Sequence, residues 1–199
     1  MKCIQFIHHH KPIRTALAVL ALAALPAGAV SVPAYAAQTA GTALAASCPT
    51  GWGSLPEAST YQGWGQLTNV RTGRHTCFDR IVFDVQGKPS WFRVHYVKDF
   101  YTVGEGKLIP VRGGAKLEII LSVTSFDSDD GVPSYDPANY NELANVHGYR
   151  TFRQVVDEGC FEGETAIGVG LRARLPFRVF TLSGAGNTSR IVVDVAHRW

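Results

Sequence analysis

A run of closely spaced arginines, "RARLPFR", is the most suggestive binding feature of the sequence. It contains Arg172, Arg174 and Arg178, which share one face if the run is a β-strand, and Arg150 and Arg153 come earlier in the chain. The planar guanidinium fork suits carboxylates and the charged groups of anionic polymers. We favour a simpler interpretation, an outward polar face paired with acidic residues of neighbouring strands, because the charge of the exported chain is balanced, as shown below.

Catalytic constellations are weak by comparison. The sequence has no GxSxG motif, and a thiol–imidazole pair of Cys160 and His197 has nothing in the sequence to bring its members together. Glu158 with Glu162 or Glu164 offers paired carboxylates, yet these residues lie in a glycine-rich connection where solvated charge is the simpler explanation. We therefore expect no enzyme, and a small hydrolase is the least favoured functional hypothesis.

The acidic stretch "DSDDG", residues 127–131, resembles a calcium loop only in composition. An EF-hand loop needs glycine at its sixth position and glutamate at its twelfth. Counted from Asp127, Gly131 is fifth and Ala138 is twelfth. We expect a solvated acidic loop, and we predict no metal site and no cofactor.

The N-terminus has the pattern of an export signal. Lys2, Lys11 and Arg14 precede the apolar stretch "TALAVLALAAL", and a small-x-small cleavage site ends at Ala36. We predict a signal peptide over residues 1–36, a secreted or extracytoplasmic location with association to the cell wall, and no transmembrane segment once the leader is removed. Residues 37–65 are predicted to form a linker and an N-terminal segment.

Removal of the leader changes the charge balance. The whole chain has 19 basic and 16 acidic residues, and three of the basic residues lie in the leader. The exported chain is therefore close to neutral, which gives no argument for a nucleic-acid partner. Cys48 is not expected to carry a lipid anchor, because Ala45 stands where a lipobox has an aliphatic residue.

Three cysteines remain in the exported chain: Cys48, Cys77 and Cys160. An extracytoplasmic location permits disulfides, and an odd number leaves one thiol over. Cys48–Cys77 is the first choice, because it would pin the N-terminal segment to the sheet. Cys77–Cys160 is a close alternative.

Alternating apolar residues predict β-strands through most of residues 66–199. In "CFDRIVFDV", for example, Ile81, Phe83 and Val85 fall on one face. The polar stretch that follows Val123 is expected to be a long loop. In "TFRQVVDEG" the spacing of Phe152 and Val155 is compatible with one short helix near 151–158. The prediction is an all-β sandwich of two small sheets.

A repeat gives this prediction more detail. "DRIVFDV", residues 79–85, and "SRIVVDV", residues 189–195, nearly match, and a strand, short turn and aromatic-Arg-Val strand also occur twice. These echoes predict approximate internal symmetry. If the two "RIVxDV" strands are antiparallel neighbours, Arg80 faces Asp194 and Asp84 faces Arg190. If they are parallel or in separate sheets, that pairing is lost.

Five motifs together carry a family resemblance: "TGRHTCFDRIVFDV", "IPVRGGAKLEIIL", "GYRTFRQVV", "FEGETAIGVGLRARLPFRVF" and "SRIVVDVAHRW". From about Leu67 to Trp199 the chain resembles the AMIN-like domain of secreted proteins and lipoproteins from high-GC Gram-positive bacteria. The resemblance implies a non-catalytic β-sandwich that binds or targets the cell envelope, with peptidoglycan or another wall polymer as the expected partner. It implies no particular binding residues. The alternative hypothesis is an envelope protein–protein adaptor that acts through an exposed sheet edge.

Overall fold

The computed structural model describes Cys48 and residues 51–60, 63–89, 91–127 and 129–199. The predicted signal peptide, residues 1–36, and the first part of the predicted linker lie outside the described residues. Within the described ranges there is no helix, and therefore none that is long and apolar enough to cross a membrane.

Eleven strands make up the secondary structure of the described residues. In chain order they are β1 Glu57–Thr60, β2 Gly65–Arg74, β3 Phe78–Gly87, β4 Trp91–Val97, β5 Phe100–Tyr101, β6 Leu108–Ile109, β7 Ala115–Leu121, β8 Phe152–Phe161, β9 Glu164–Leu171, β10 Phe177–Ser183 and β11 Thr188–Ala196.

The strands form two main sheets and one small one, and all their pairings are antiparallel. One main sheet has five strands in the order β1-β4-β7-β9-β8, and the other has four in the order β10-β11-β3-β2. Strand alternation sends one side chain in two toward the partner sheet, so fully buried residues such as Phe83 and Ile191 pack with Ile119 and Ile167 in one core. The predicted all-β sandwich is confirmed.

The small sheet β5-β6 lies outside this core. Its Phe100 and Ile109 bury Val156 in a separate apolar cluster. Gly168 of β9 allows the approach, because a Cβ there would lie 2.7 Å from the ring of Phe100.

The helix predicted near 151–158 is wrong, because these residues belong to β8. The register of β8 against β9 shifts between Phe152 and Gln154 and again between Asp157 and Gly159. A bulge adds one residue to a strand and moves the following side chains to the other face. Phe152 and Val155 therefore both enter the main core although they are three positions apart, which imitates the spacing of a helix.

The two "RIVxDV" strands, β3 and β11, are antiparallel neighbours in the four-stranded sheet. Val82 lies opposite Val192, so a local two-fold axis within one sheet relates the two copies of the repeat. Arg80 faces Asp194 as predicted and donates two hydrogen bonds to it, at 2.6 and 2.9 Å. Other repeated segments are divided between the sheets: β3 leads to β4 in the five-stranded sheet, and β9 leads from that sheet to β10 in the other.

The second predicted ion pair takes a different partner. Asp84 lies opposite Arg190 in register, but its carboxylate accepts Nε and Nη2 of Arg71 on β2 at 2.7 and 2.9 Å. Arg71, with a smaller contribution from Arg190, holds the pKa of Asp84 below its ordinary value.

The Cys48–Cys77 disulfide is confirmed, and its two cysteines are 29 positions apart in the sequence. The alternative pairing of Cys77 with Cys160 is wrong, since Cys77 is bonded to Cys48. Cys160 is disulfide-bonded as well, and the described residues contain no free cysteine.

Candidate functional site: an arginine cleft

The arginines of "RARLPFR" do not share one strand face. Strand β9 ends at Leu171 and β10 begins at Phe177, and the connection between them crosses from one sheet to the other. Arg172, Arg174 and Arg178 consequently lie in three different surroundings. The shared face, which required the run to be one strand, is not formed because the chain leaves the five-stranded sheet in the middle of the motif.

Arg178 belongs to the outer face of the four-stranded sheet. Its guanidinium contacts Asp194 at 2.8 and 2.9 Å and stacks over the Trp52 ring, 4.4 Å from the centroid. Asp194 is fully buried and also accepts Arg80. Arg71 pairs with Asp84 in a similar way. We call the three arginines that pair with a carboxylate on this sheet the ladder arginines: Arg71, Arg80 and Arg178.

Arg174 is bound to the N-terminal segment. It donates to the hydroxyl and the carbonyl oxygen of Ser54 at 3.1 and 2.7 Å, and its guanidinium lies 4.7 Å from the centre of the Tyr96 ring. The hydrogen bonds and the ring contact of the Arg174 guanidinium are therefore made to other residues of the protein.

Four other arginines line one cleft of about 590 Å³. We call them the cleft arginines: Arg150, Arg153, Arg172 and Arg198. The first three were predicted from the sequence, and Arg198 was not. Among the described residues that line this cleft there is no acidic side chain, and its remaining described walls come from Cys48, Thr76, Tyr149 and His197.

The ends of three strands bring the cleft arginines together. Phe152 at the start of β8 pairs with Leu171 at the end of β9, which places Arg153 close to Arg172. The amide of Arg172 donates to the carbonyl of Thr151 at 2.9 Å. The end of β11 adds Arg198 from the other sheet. The cleft is therefore built across the sandwich, at the point where both sheets end.

Backbone carbonyls, rather than carboxylates, hold two of these guanidinium groups. Arg153 donates to the carbonyls of Phe152 and Tyr149 at 2.9 and 3.2 Å, and Arg172 donates to the carbonyl of His197. A neutral carbonyl orients a guanidinium but does not cancel its charge. The cleft thus presents a preorganised group of positive charges.

A buried carboxylate supports the cleft from behind. Asp79 is fully buried and accepts the amide and the hydroxyl of Thr151, both at 2.6 Å. Its other oxygen lies 3.1 Å from Nε2 of His197, whose Nδ1 lies 3.2 Å from the carbonyl of Thr76. The neutral ring can donate to only one of these oxygens, whereas the imidazolium donates to both. Asp79 thereby ties β3 to β8 and to the end of β11.

Sequence reasoning missed Asp79 and Arg198. Asp79 had a signal, because it is in phase with Ile81, Phe83 and Val85 and therefore lies on the core face of β3. A carboxylate at such a position must find buried hydrogen-bond donors. Arg198 follows the last strand, and only the meeting of the two sheets brings it to the cleft.

The catalytic alternatives receive no support from the geometry. Cys160 is disulfide-bonded and lies at the far end of β8 from the cleft, roughly 25 Å along the strand, while His197 lines the cleft. Among the paired carboxylates, Glu162 and Glu164 are exposed at the β8–β9 turn, whereas Glu158 is buried.

Carboxylates of the acidic loop accept hydrogen bonds from backbone amides of the same loop. Asp127 accepts the amide of Asp129, and Asp130 accepts the amide of Val132, both at 2.9 Å. In the part of the chain that the structure describes, no group of three His, Cys, Asp or Glu side chains is placed to hold a metal ion.

Comparison with known proteins gives one match. A model of the AMIN-like domain matches residues 65–197, which extends from the first residue of β2 to the histidine in the cleft. No curated protein matches the sequence.

Proposed function

Because the chain belongs to the AMIN-like domain family, we propose that it is a secreted, non-catalytic module that binds peptidoglycan or another polymer of the cell wall. The family points to a role at the cell envelope, and the Cys48–Cys77 disulfide fits an oxidising, extracytoplasmic environment. The observation that carries the proposal is the arginine cleft, which offers four guanidinium groups and no acidic side chain among its lining residues.

The chemistry of the cleft fits recognition better than catalysis. Guanidinium groups stay protonated, so they bind oxyanions well and serve poorly as general acids or bases. His197, the residue of the cleft best suited to proton transfer, has both ring nitrogens against oxygen atoms of Asp79 and Thr76. Its ring is thus occupied in holding the cleft together.

The alternative, an adaptor that pairs through a sheet edge, has less support. The carbonyl of Val155 on edge strand β8 accepts the amide of Leu143, and the amide of Asp157 donates to the carbonyl of Tyr140. On edge strand β10, the amide of Val179 donates to Glu57. Loops and side chains thus cover part of these two edges and leave fewer free backbone groups for an added strand.

Co-sedimentation tests the proposal. Purified protein is mixed with insoluble wall polymers, and the bound fraction is compared with that of the double variant Arg150→Ala/Arg198→Ala. Both side chains are exposed, so their removal should leave the fold intact. Arg93→Ala is the matched control, because Arg93 is an exposed arginine of β4 and does not line the cleft.

We expect the wild type and Arg93→Ala to sediment with the wall and the double variant to remain largely in solution. If the wild-type protein sediments with no wall fraction, the proposed function is wrong. If a single envelope protein is captured while wall polymers are ignored, the adaptor hypothesis replaces it.

A further inference from the structure

A second concavity adjoins the arginine cleft. This side hollow has a volume of about 460 Å³ and is lined by Arg112, Glu142, His147, Tyr149 and Arg153, among others. Tyr149 and Arg153 line both concavities. The two therefore lie side by side over the start of β8, and we call them together the track.

Positive groups recur along this track. The cleft arginines lie at one end, Arg153 lies at the junction, and Arg112 lies in the side hollow. The guanidinium of Arg74 is 5.9 Å from the centre of the Tyr149 ring, close to the same junction. Glu142 is the one acidic residue among the described residues that line the two concavities, and it pairs with Arg112 at 2.6 Å.

A single small anion would use only part of this surface. One phosphate or carboxylate accepts one or two guanidinium groups in bidentate geometry, and the remaining cleft arginines would keep their charges uncompensated. Repeated anionic groups on one chain can satisfy several guanidinium groups at once, and the second contact then forms at a high effective concentration.

We propose that the cleft and the side hollow together bind a linear polyanion that is not a nucleic acid and whose repeating units carry phosphate or carboxylate groups. This inference rests on the proposed function, since it names the ligand class of the same surface. Glu142 acts as an internal competitor, because its carboxylate occupies Arg112 at 2.6 Å when no ligand is bound. A ligand can bind in the cleft without displacing a carboxylate from the cleft arginines.

The test compares polymers with their units by calorimetry at fixed salt. The probes are inorganic phosphate, long-chain polyphosphate, glutamate and polyglutamate, added to the purified protein. We expect each monomer to bind weakly and at least one polymer to bind tenfold or more tighter, with an affinity that falls as salt rises. A preference for polyphosphate assigns phosphate groups to the ligand, and a preference for polyglutamate assigns carboxylates.

Two variants divide the track into its parts. Arg150→Ala/Arg198→Ala should weaken polymer binding by about tenfold or more, since it removes two charged donors from the cleft. Glu142→Gln should strengthen binding of the polymer severalfold and leave binding of the monomer unchanged, because it frees Arg112 in the side hollow. Arg93→Ala should change neither affinity.

Four results would overturn the inference. The first is equal affinity for monomer and polymer, and the second is polymer binding that survives loss of Arg150 and Arg198. The third is tighter binding of a single-stranded oligonucleotide than of either polymer, which would assign the track to nucleic acid. Wall sedimentation that no polyanion inhibits would also overturn the inference while leaving the proposed function intact. Polyanion binding without any wall sedimentation would instead refute the proposed function alone.

Discussion

The ladder arginines and the cleft arginines belong to the same sandwich but meet opposite electrostatic surroundings. In the ladder, each guanidinium contacts a carboxylate, and Asp194 serves both Arg80 and Arg178 from a fully buried position. In the cleft, the guanidinium groups of Arg153 and Arg172 donate to backbone carbonyls, and the lining residues that the structure describes include no carboxylate.

The difference shows how position decides the role of an arginine. A carboxylate on the neighbouring strand neutralises the charge of the arginine, and the pair then acts as a structural contact. Aromatic rings add to this in the ladder, where Arg178 stacks over Trp52 and Arg80 lies 5.1 Å from the centre of the Phe78 ring. A carbonyl only fixes the direction of the guanidinium, so the charge stays available to a ligand. The ladder should therefore matter to stability and the cleft to binding.

The largest expected effect follows from Asp194→Asn. This change leaves Arg80 and Arg178 without their carboxylate and should lower the free energy of unfolding by about 4 kcal/mol, as for other broken buried ion pairs. Asp84→Asn is the matched control, since Asp84 holds the equivalent place in the repeat but is 27% exposed and pairs with the 49%-exposed Arg71. It should cost about 1 kcal/mol or less. Urea denaturation measures both, and equal losses would contradict the contrast between the two positions.

The disulfide should have the next largest effect. Cys48 lines the cleft, and its bond to Cys77 closes a segment of 29 residues. The double change Cys48→Ser/Cys77→Ser should lower the free energy of unfolding by roughly 3 kcal/mol, because the unfolded chain gains conformational freedom. Denaturation with and without the bridge checks the value. An unchanged stability would show that the N-terminal segment is held mainly by contacts such as Ser54 with Arg174.

Glu158 is a buried carboxyl group outside the ladder, and it contrasts with Asp194, which pairs with two arginines. Burial, followed by the nearby charge of Glu118, raises its pKa to about 8 from an ordinary 4.5, and its Oε1 has no hydrogen-bond partner. The folded protein then holds a proton that the unfolded chain releases above pH 4.5. Its contribution to stability is complete below that pH and is lost as pH rises through 8.

Thermal unfolding between pH 5 and pH 9 tests this expectation. The melting temperature of the wild type should fall by roughly 3 °C or more over this range. Glu158→Gln should flatten the dependence, apart from the part due to Asp157, whose pKa burial raises to about 6 and which acts in the same direction at lower pH. A variant that keeps the full wild-type slope would exclude Glu158 as its origin.

The smallest effect on stability should come from the cleft. Arg150→Ala/Arg198→Ala should change the free energy of unfolding by about 0.5 kcal/mol or less, because both side chains are exposed. A slight gain is expected if the like charges of the cleft repel one another. Urea denaturation of this variant, set beside its loss of wall binding, completes the comparison. A loss as large as that of Asp194→Asn would mean that the cleft arginines are structural after all.

Much of the fold follows from local patterns. The alternation in β3 and β11 predicted strands with Ile and Val toward the core, and the match between the two "RIVxDV" segments predicted the Arg80–Asp194 contact for an antiparallel pair. Where the pattern failed, a bulge was the cause: the shifts in β8 brought Phe152 and Val155 to one side and produced a helix-like spacing. A bulge is fixed by the partner strand, so the strand's own residues do not reveal it.

The candidate site could be predicted less completely. Three of its four arginines were picked out by residue type. Arg174 and Arg178 had been grouped with them because a strand through this run would place Arg172, Arg174 and Arg178 on one face. The crossing between sheets at that point separates them. Arg198 and Asp79 entered the site only through contacts between segments that are more than a hundred residues apart, such as His197 with Asp79.

The sequence by itself determined most of the strands, the family and the chemistry available, since hydrophobic period and residue type are local properties. It ranked the Cys48–Cys77 bridge first but left a second pairing open. The tertiary structure alone decided which charges are cancelled. Coulomb attraction and hydrogen bonding act over a few ångströms, so the fate of each arginine depends on the group that the partner strand places beside it. Asp194 stands beside Arg80 and Arg178, whereas only carbonyls stand beside Arg153 and Arg172, and the same side chain therefore stabilises the fold in one place and remains open to a ligand in the other.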